Sequence, residues 1–129
     1  MSKFIKYWLP AIIWMSLIFY FSSKQNVSVS TTFTLNFIIL KASHMIGYAV
    51  LYFLLFRALY STKHKKKIDE SLMQAALFAV LYSASDELHQ LFVPTRSGHL
   101  EDIMIDSIGI FIMYTYLKYN FKRLKIFIL

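Results

Sequence analysis

The chain has 129 residues, enough for one domain, and 57 % of them are hydrophobic, with a mean hydropathy of +0.51, above the apolar share of soluble domains. It has no cysteine, which excludes disulfides and thiolate metal sites. The formal net charge is +7, but the basic residues fall at the ends of apolar blocks and not on an aromatic-studded stripe, so the reading is no nucleic-acid partner.

The first apolar block runs from about Phe4 to Phe21, behind Lys3 and Lys6. It imitates a signal peptide, yet Ser22-Ser23-Lys24-Gln25 follows it with no small-x-small cleavage pattern, so an uncleaved signal anchor is expected. Ser22 to Asn36 is rich in Ser, Thr, Asn and Gln and suits an outer loop. The second block, Phe37 to Tyr60, carries Lys41, His44 and Tyr48 at i, i+3 and i+7, one stripe of a helix. Lys63, Lys65, Lys66 and Lys67 then form a basic loop suited to anionic headgroups.

The third block, Leu72 to Val93, is apolar only as far as Ser85 and ends in Asp86-Glu87-Leu88-His89-Gln90. Tyr82, Asp86 and either His89 or Gln90 form its polar stripe; Pro94 stops the span, and Arg96-Ser97-Gly98-His99 supplies a turn over its mouth. The fourth block, Ile103 to Tyr119, has Asp102, Asp106 and Gly109 on one face, with Gly109 allowing a close helix approach.

These blocks predict an all-α membrane protein: a single domain over residues 1–129, a bundle of four transmembrane helices with spans about 4–21, 37–60, 72–93 and 103–119. The alternative is a compact soluble bundle. Against it stand 23 Phe, Tyr and Trp residues, only three Gly, and no regular charged face. Eleven of the fourteen Lys and Arg fall on one side of a four-pass arrangement, which puts both termini in the cytoplasm by the positive-inside rule.

Topology then brings the polar ends of spans two, three and four to the outer face, and this coincidence argues for one shared site facing outside the cell membrane. Carboxylates inside a membrane are expensive unless they line a site or find partners. Asp86, Glu87, His89, Lys41, His44 and Arg96 are the candidate catalytic groups, with Tyr48, Gln90 and Tyr82 as substrate-binding side chains. Asp86, Asp102 and Asp106 are the candidate ligands of a divalent cation, which would offset their excess negative charge. Duller readings stand beside these: Lys41 snorkelling to headgroups, His44 as an interhelical hydrogen-bonding residue, His99 and Glu101 as exposed loop residues, one of Asp86 and Glu87 turned away, and the whole set as a structural ion-pair network.

The pattern Lys41-x-x-His44-x-x-x-Tyr48, Ser85-Asp86-Glu87-Leu88-His89-Gln90-x-Phe92-x-Pro94-x-Arg96 and Asp102-x-x-x-Asp106-x-x-Gly109 resembles the VanZ-like family of small bacterial membrane proteins. The opening with Trp14, Ile18 and Ser22-Ser23 is similar as well, and the family often has Gly where Thr95 stands here. The family's founding member is associated with low-level resistance to teicoplanin, a lipoglycopeptide acting on cell-wall precursors outside the membrane. The resemblance implies a link to that resistance, with membrane lipid and a lipid-linked or cell-wall precursor as partners. Three classes of activity remain open: a metal-assisted hydrolase or transferase of the outer leaflet, a non-catalytic binder or shield, and proton- or cation-coupled transport. Four short spans are few for a carrier, and no Gly-x-Ser-x-Gly, His-Glu-x-x-His or P-loop motif is present.

Overall fold

The computed structural model describes residues 3–24, 28, 31–62, 67–94 and 99–128, all of the regular structure among them helical. Four helices follow in order: α1 (Lys3–Ser22), α2 (Phe33–Thr62), α3 (Ile68–Gln90) and α4 (Leu100–Ile128). Helix α2 packs against the other three and α3 packs against α1 and α4, while among the described residues the α1 and α4 backbones stay more than 8 Å apart between Cα atoms.

Seriation of the buried residues explains this arrangement. On α2 they include Tyr48, Leu51, Tyr52, Leu55, Phe56 and Leu59, each three or four residues from another member along one face. On α3 the inward stripe is Leu72, Ala75 and Ala79, continuing as Ser83, Asp86 and Gln90. The stripe is therefore apolar at one end of the bundle and polar at the other. Helix α4 repeats this in reverse: Asp106 lies near its start, and Ile110 and Leu117 follow inside. The apolar end is sealed by aromatic packing, with Tyr60 and Phe121 rings 5.2 Å apart and the Tyr52 hydroxyl donating to the Leu72 carbonyl at 3.1 Å.

Two close approaches fix the helices around the polar end. A Cβ placed on Gly109 would come within 2.0 Å of the Met45 carbonyl oxygen, so only glycine lets α4 lie this near α2. Trp14 Nε1 donates to the Gly47 carbonyl across 2.9 Å, tying α1 to α2.

The outside of the bundle is greasier than its inside at the polar end. Leu77, Leu81 and Leu88 of α3 and Met104, Ile108 and Phe111 of α4 are all more than half exposed, whereas Asp106 has no exposure. In water this distribution would be unfavourable by the hydrophobic effect; in lipid it is the expected one. Phe4–Ser22 and Phe33–Thr62 are long and apolar enough to cross a membrane. Helices α3 and α4 are less apolar on average: both carry the inward polar stripe, and charged residues also lie at the start of α3 (Asp69, Glu70) and late in α4 (Lys118, Lys122, Arg123, Lys125).

The helices also overrun the apolar blocks. Helix α2 begins at Phe33, inside the stretch expected as loop, and α4 continues to Ile128. Helix α3 ends at Gln90, and the chain turns through 91–94 rather than holding a helix to Pro94.

Candidate functional site

The polar ends of the inward stripes meet in one cluster. Asp86 is its centre: Oδ2 accepts from Ser22 Oγ of α1 at 2.7 Å, from Tyr48 Oη of α2 at 3.2 Å, and from Gln90 Nε2 at 3.5 Å. Asp86, Gln90 and Ser22 are each no more than 3 % exposed. Asp106 is held in a parallel way, its Oδ2 accepting from Ser83 Oγ at 2.7 Å, while His44 Nδ1 lies 3.6 Å from Oδ1. The remaining oxygen of each aspartate, Oδ1, is buried without a hydrogen bond.

Glu87 is buried as well as Asp86. A helical step of about 100° separates them, so they face different neighbours within the interior and neither is turned to lipid. One Glu87 oxygen accepts from Gln90 Nε2 at 3.4 Å and the other from the His99 backbone amide at 3.2 Å. His99 is exposed as expected, yet its main chain closes over the buried carboxylate; Glu101 is exposed.

Lys41 and His89 form the rim. Lys41 is a quarter exposed and pairs with Asp102, so this cation is engaged at the start of α4 and its nitrogen lies 5.3 Å from the Phe37 ring centroid. His89 stacks on Phe19 at 4.4 Å between centroids, and its Nε2 lies 3.0 Å from Ser23 Oγ. Since the Ser23 hydroxyl donates to the Phe19 carbonyl at 2.8 Å, its one hydrogen is used and the imidazole N–H is the donor in that contact. Tyr82 donates to the Met15 carbonyl at 2.7 Å, a helix-to-helix tie. Arg96 lies outside the described residues, as does Thr95.

The ligand atoms that the fold gathers differ from the three aspartates expected to hold a cation. Among the described residues, His44, Glu87 and Asp106 each offer a ligand atom, all within 4.8 Å of one another. Asp86 is outside this group, its Oδ2 occupied by hydroxyl and amide donors, and Asp102 is paired with Lys41.

Ser22 and Ser83 are the members that sequence reasoning did not assign to the site. Ser83 lies three residues before Asp86 on the same stripe, a signal available from spacing alone. Ser22 carried only the weaker cue of ending an apolar block on the same side as Asp86.

A family model described as VanZ/LLP1 matches residues 7–123, which takes in every described member of the cluster. No curated protein and no solved structure matches the chain.

Proposed function

The chain belongs to the VanZ/LLP1 family, and from that premise we propose a multi-pass membrane protein whose polar cluster faces the outside of the cell, binds a lipid-linked or cell-envelope molecule, and links the protein to glycopeptide (teicoplanin) resistance. The observation that carries this reading is the burial of Asp86, Glu87, Gln90 and Asp106 at one end of a bundle whose exterior is apolar. Carboxylates at membrane depth are costly, ~2.5–3.5 kcal/mol each even on the most lenient insertion scale, and persist where protein groups surround them. A fold that only needed helix contacts would fill these positions with apolar side chains at no such cost.

Four spans with both termini in the cytoplasm follow from the lysines: Lys3 and Lys6 lie at the start of α1, Lys67 precedes α3, and Lys122, Arg123 and Lys125 lie late in α4. That arrangement turns the polar end outward, where wall precursors and the antibiotic meet.

Ser23 and Tyr82 donate to main-chain carbonyls, so neither is activated by a neighbouring base, whereas Ser22, Tyr48 and Ser83 donate to the buried carboxylates of Asp86 and Asp106. Transport through a single copy is disfavoured by the sealed apolar half, where Leu51, Tyr52, Phe56 and Leu117 have no exposure, while the buried charged side chains among the described residues, Asp86, Glu87 and Asp106, all lie at the polar end.

The test is expression in a teicoplanin-susceptible host, together with reporter fusions at the C-terminus and after Lys65. Lower susceptibility with cytoplasmic reporter signals supports the reading. Unchanged susceptibility at a detectable membrane level, or external reporter signals, overturns it.

A further inference from the structure

We propose that His44, Glu87 and Asp106 form a site for one divalent transition-metal ion of the zinc class. The site deepens the reading of the polar cluster as a working one and rests on it.

The geometry is the starting point. In a tetrahedral zinc site with nitrogen and oxygen ligands, the ligand atoms sit roughly 3.5 Å apart. His44 Nδ1 and Asp106 Oδ1 are already 3.6 Å apart, too far for a hydrogen bond and right for two ligands of one ion. The Glu87 ligand atom lies within 4.8 Å of both partners, so a small rotamer change closes the set. Three protein ligands would leave the fourth position open, as in sites that bind an external molecule.

A second observation points to the same place. Asp106 has no exposure, and its Oδ1, aimed at His44, is buried without a hydrogen bond. A buried carboxylate oxygen left in this way is costly unless a cation or donor meets it. The outer contacts have the form that orients metal ligands: Ser83 holds the other oxygen of Asp106, and the His99 amide and Gln90 hold Glu87. Charge agrees as well. A dication against two carboxylates and a neutral imidazole sums to zero, and an imidazole-carboxylate donor set suits zinc better than calcium or magnesium.

The experiment uses the full chain, purified in detergent, stripped with chelator and titrated with zinc ion. About one zinc per chain should bind, with affinity reduced about tenfold or more in His44→Gln and Glu87→Gln. Asp69→Asn, an exposed acidic residue at the far end of α3, should bind as wild type. X-ray absorption at the zinc edge of loaded wild type gives a readout that needs no variant: an imidazole nitrogen shell with oxygen and no sulfur. Absence of stoichiometric zinc in wild type, uptake unchanged in both ligand variants, or a shell without imidazole overturns the site. Protection from teicoplanin by a protein that takes up no zinc keeps the envelope reading and rejects this one. Specific zinc uptake without protection supports the site and rejects the envelope reading.

Discussion

Ser83 Oγ lies 2.7 Å from Asp106 Oδ2, and neither residue has any exposure. This contact joins α3 to α4 at the level where the α3 stripe turns from apolar to polar. Ser83→Ala leaves Asp106 without its one hydrogen-bond donor and should lower stability by about 1–3 kcal/mol, read as a fall in the unfolding midpoint in detergent. Ser107→Ala removes a hydroxyl that bonds only within α4, to Ile103, and should have a smaller effect. Equal losses for the two would show that the α3–α4 contact carries no special weight.

Gly109 and Gly47 separate close approach from helix propensity. A Cβ at Gly109 meets the Met45 main chain at 2.0 Å, whereas one at Gly47 meets nothing within 4 Å. Since the obstacle is backbone, α2 or α4 must move, and Gly109→Ala should cost at least the ~1–3 kcal/mol typical of overpacking. Gly47→Ala should be neutral or slightly stabilising, because alanine is the better helix former. Thermal unfolding of the two variants beside wild type decides the matter.

Lys41 and Asp102 are partly exposed, 25 % and 14 %, so their ion pair is screened by the surroundings at the end of the bundle. A double-mutant cycle with Lys41→Met and Asp102→Asn should give a coupling on the order of 1 kcal/mol or less, shrinking as salt is raised. A zero coupling at low salt would return Lys41 to a snorkelling role.

Spacing made the polar stripes legible before any coordinates. Lys41 and His44 of α2, Asp86 and Gln90 of α3, and Asp102 and Asp106 of α4 repeat at three or four residues, and a 3.6-residue helix brings such positions to one face. Partner choice was not legible, because it depends on how each helix is rotated about its axis. That rotation gives Asp102 to Lys41 and leaves Glu87 with His44 and Asp106. Ser22 and Ser83 were not assigned to the site for a different reason: serine is common, and only the neighbouring carboxylate reveals what its hydroxyl is for. Helix ends were not legible from the apolar blocks, because hydropathy falls where helix propensity does not. Lys118, Lys122, Arg123 and Lys125 are good helix formers, so α4 runs on past the apolar block to Ile128.

The role of the cluster is tested by substitutions that change charge and hydrogen bonding while keeping shape. Asp86→Asn retains a carbonyl oxygen to accept from Ser22 and Tyr48, both now bonded to Oδ2, and relieves the desolvation of a buried charge. His89→Gln keeps an N–H donor for Ser23 but loses the ring stacked on Phe19. Neither change should prevent insertion, because both residues lie near the end of α3, beyond its apolar stretch. If the cluster binds an envelope molecule, each variant at wild-type membrane abundance should leave cells as susceptible to teicoplanin as cells without the chain. Lys125→Ala, an exposed residue in the last turn of α4 at the opposite end of the bundle, should protect like wild type. Full protection by Asp86→Asn and His89→Gln would reject a functional role for this end of α3. The buried carboxylates would then be a structural network, specifying how α1, α2 and α3 dock around Asp86 rather than what the protein binds.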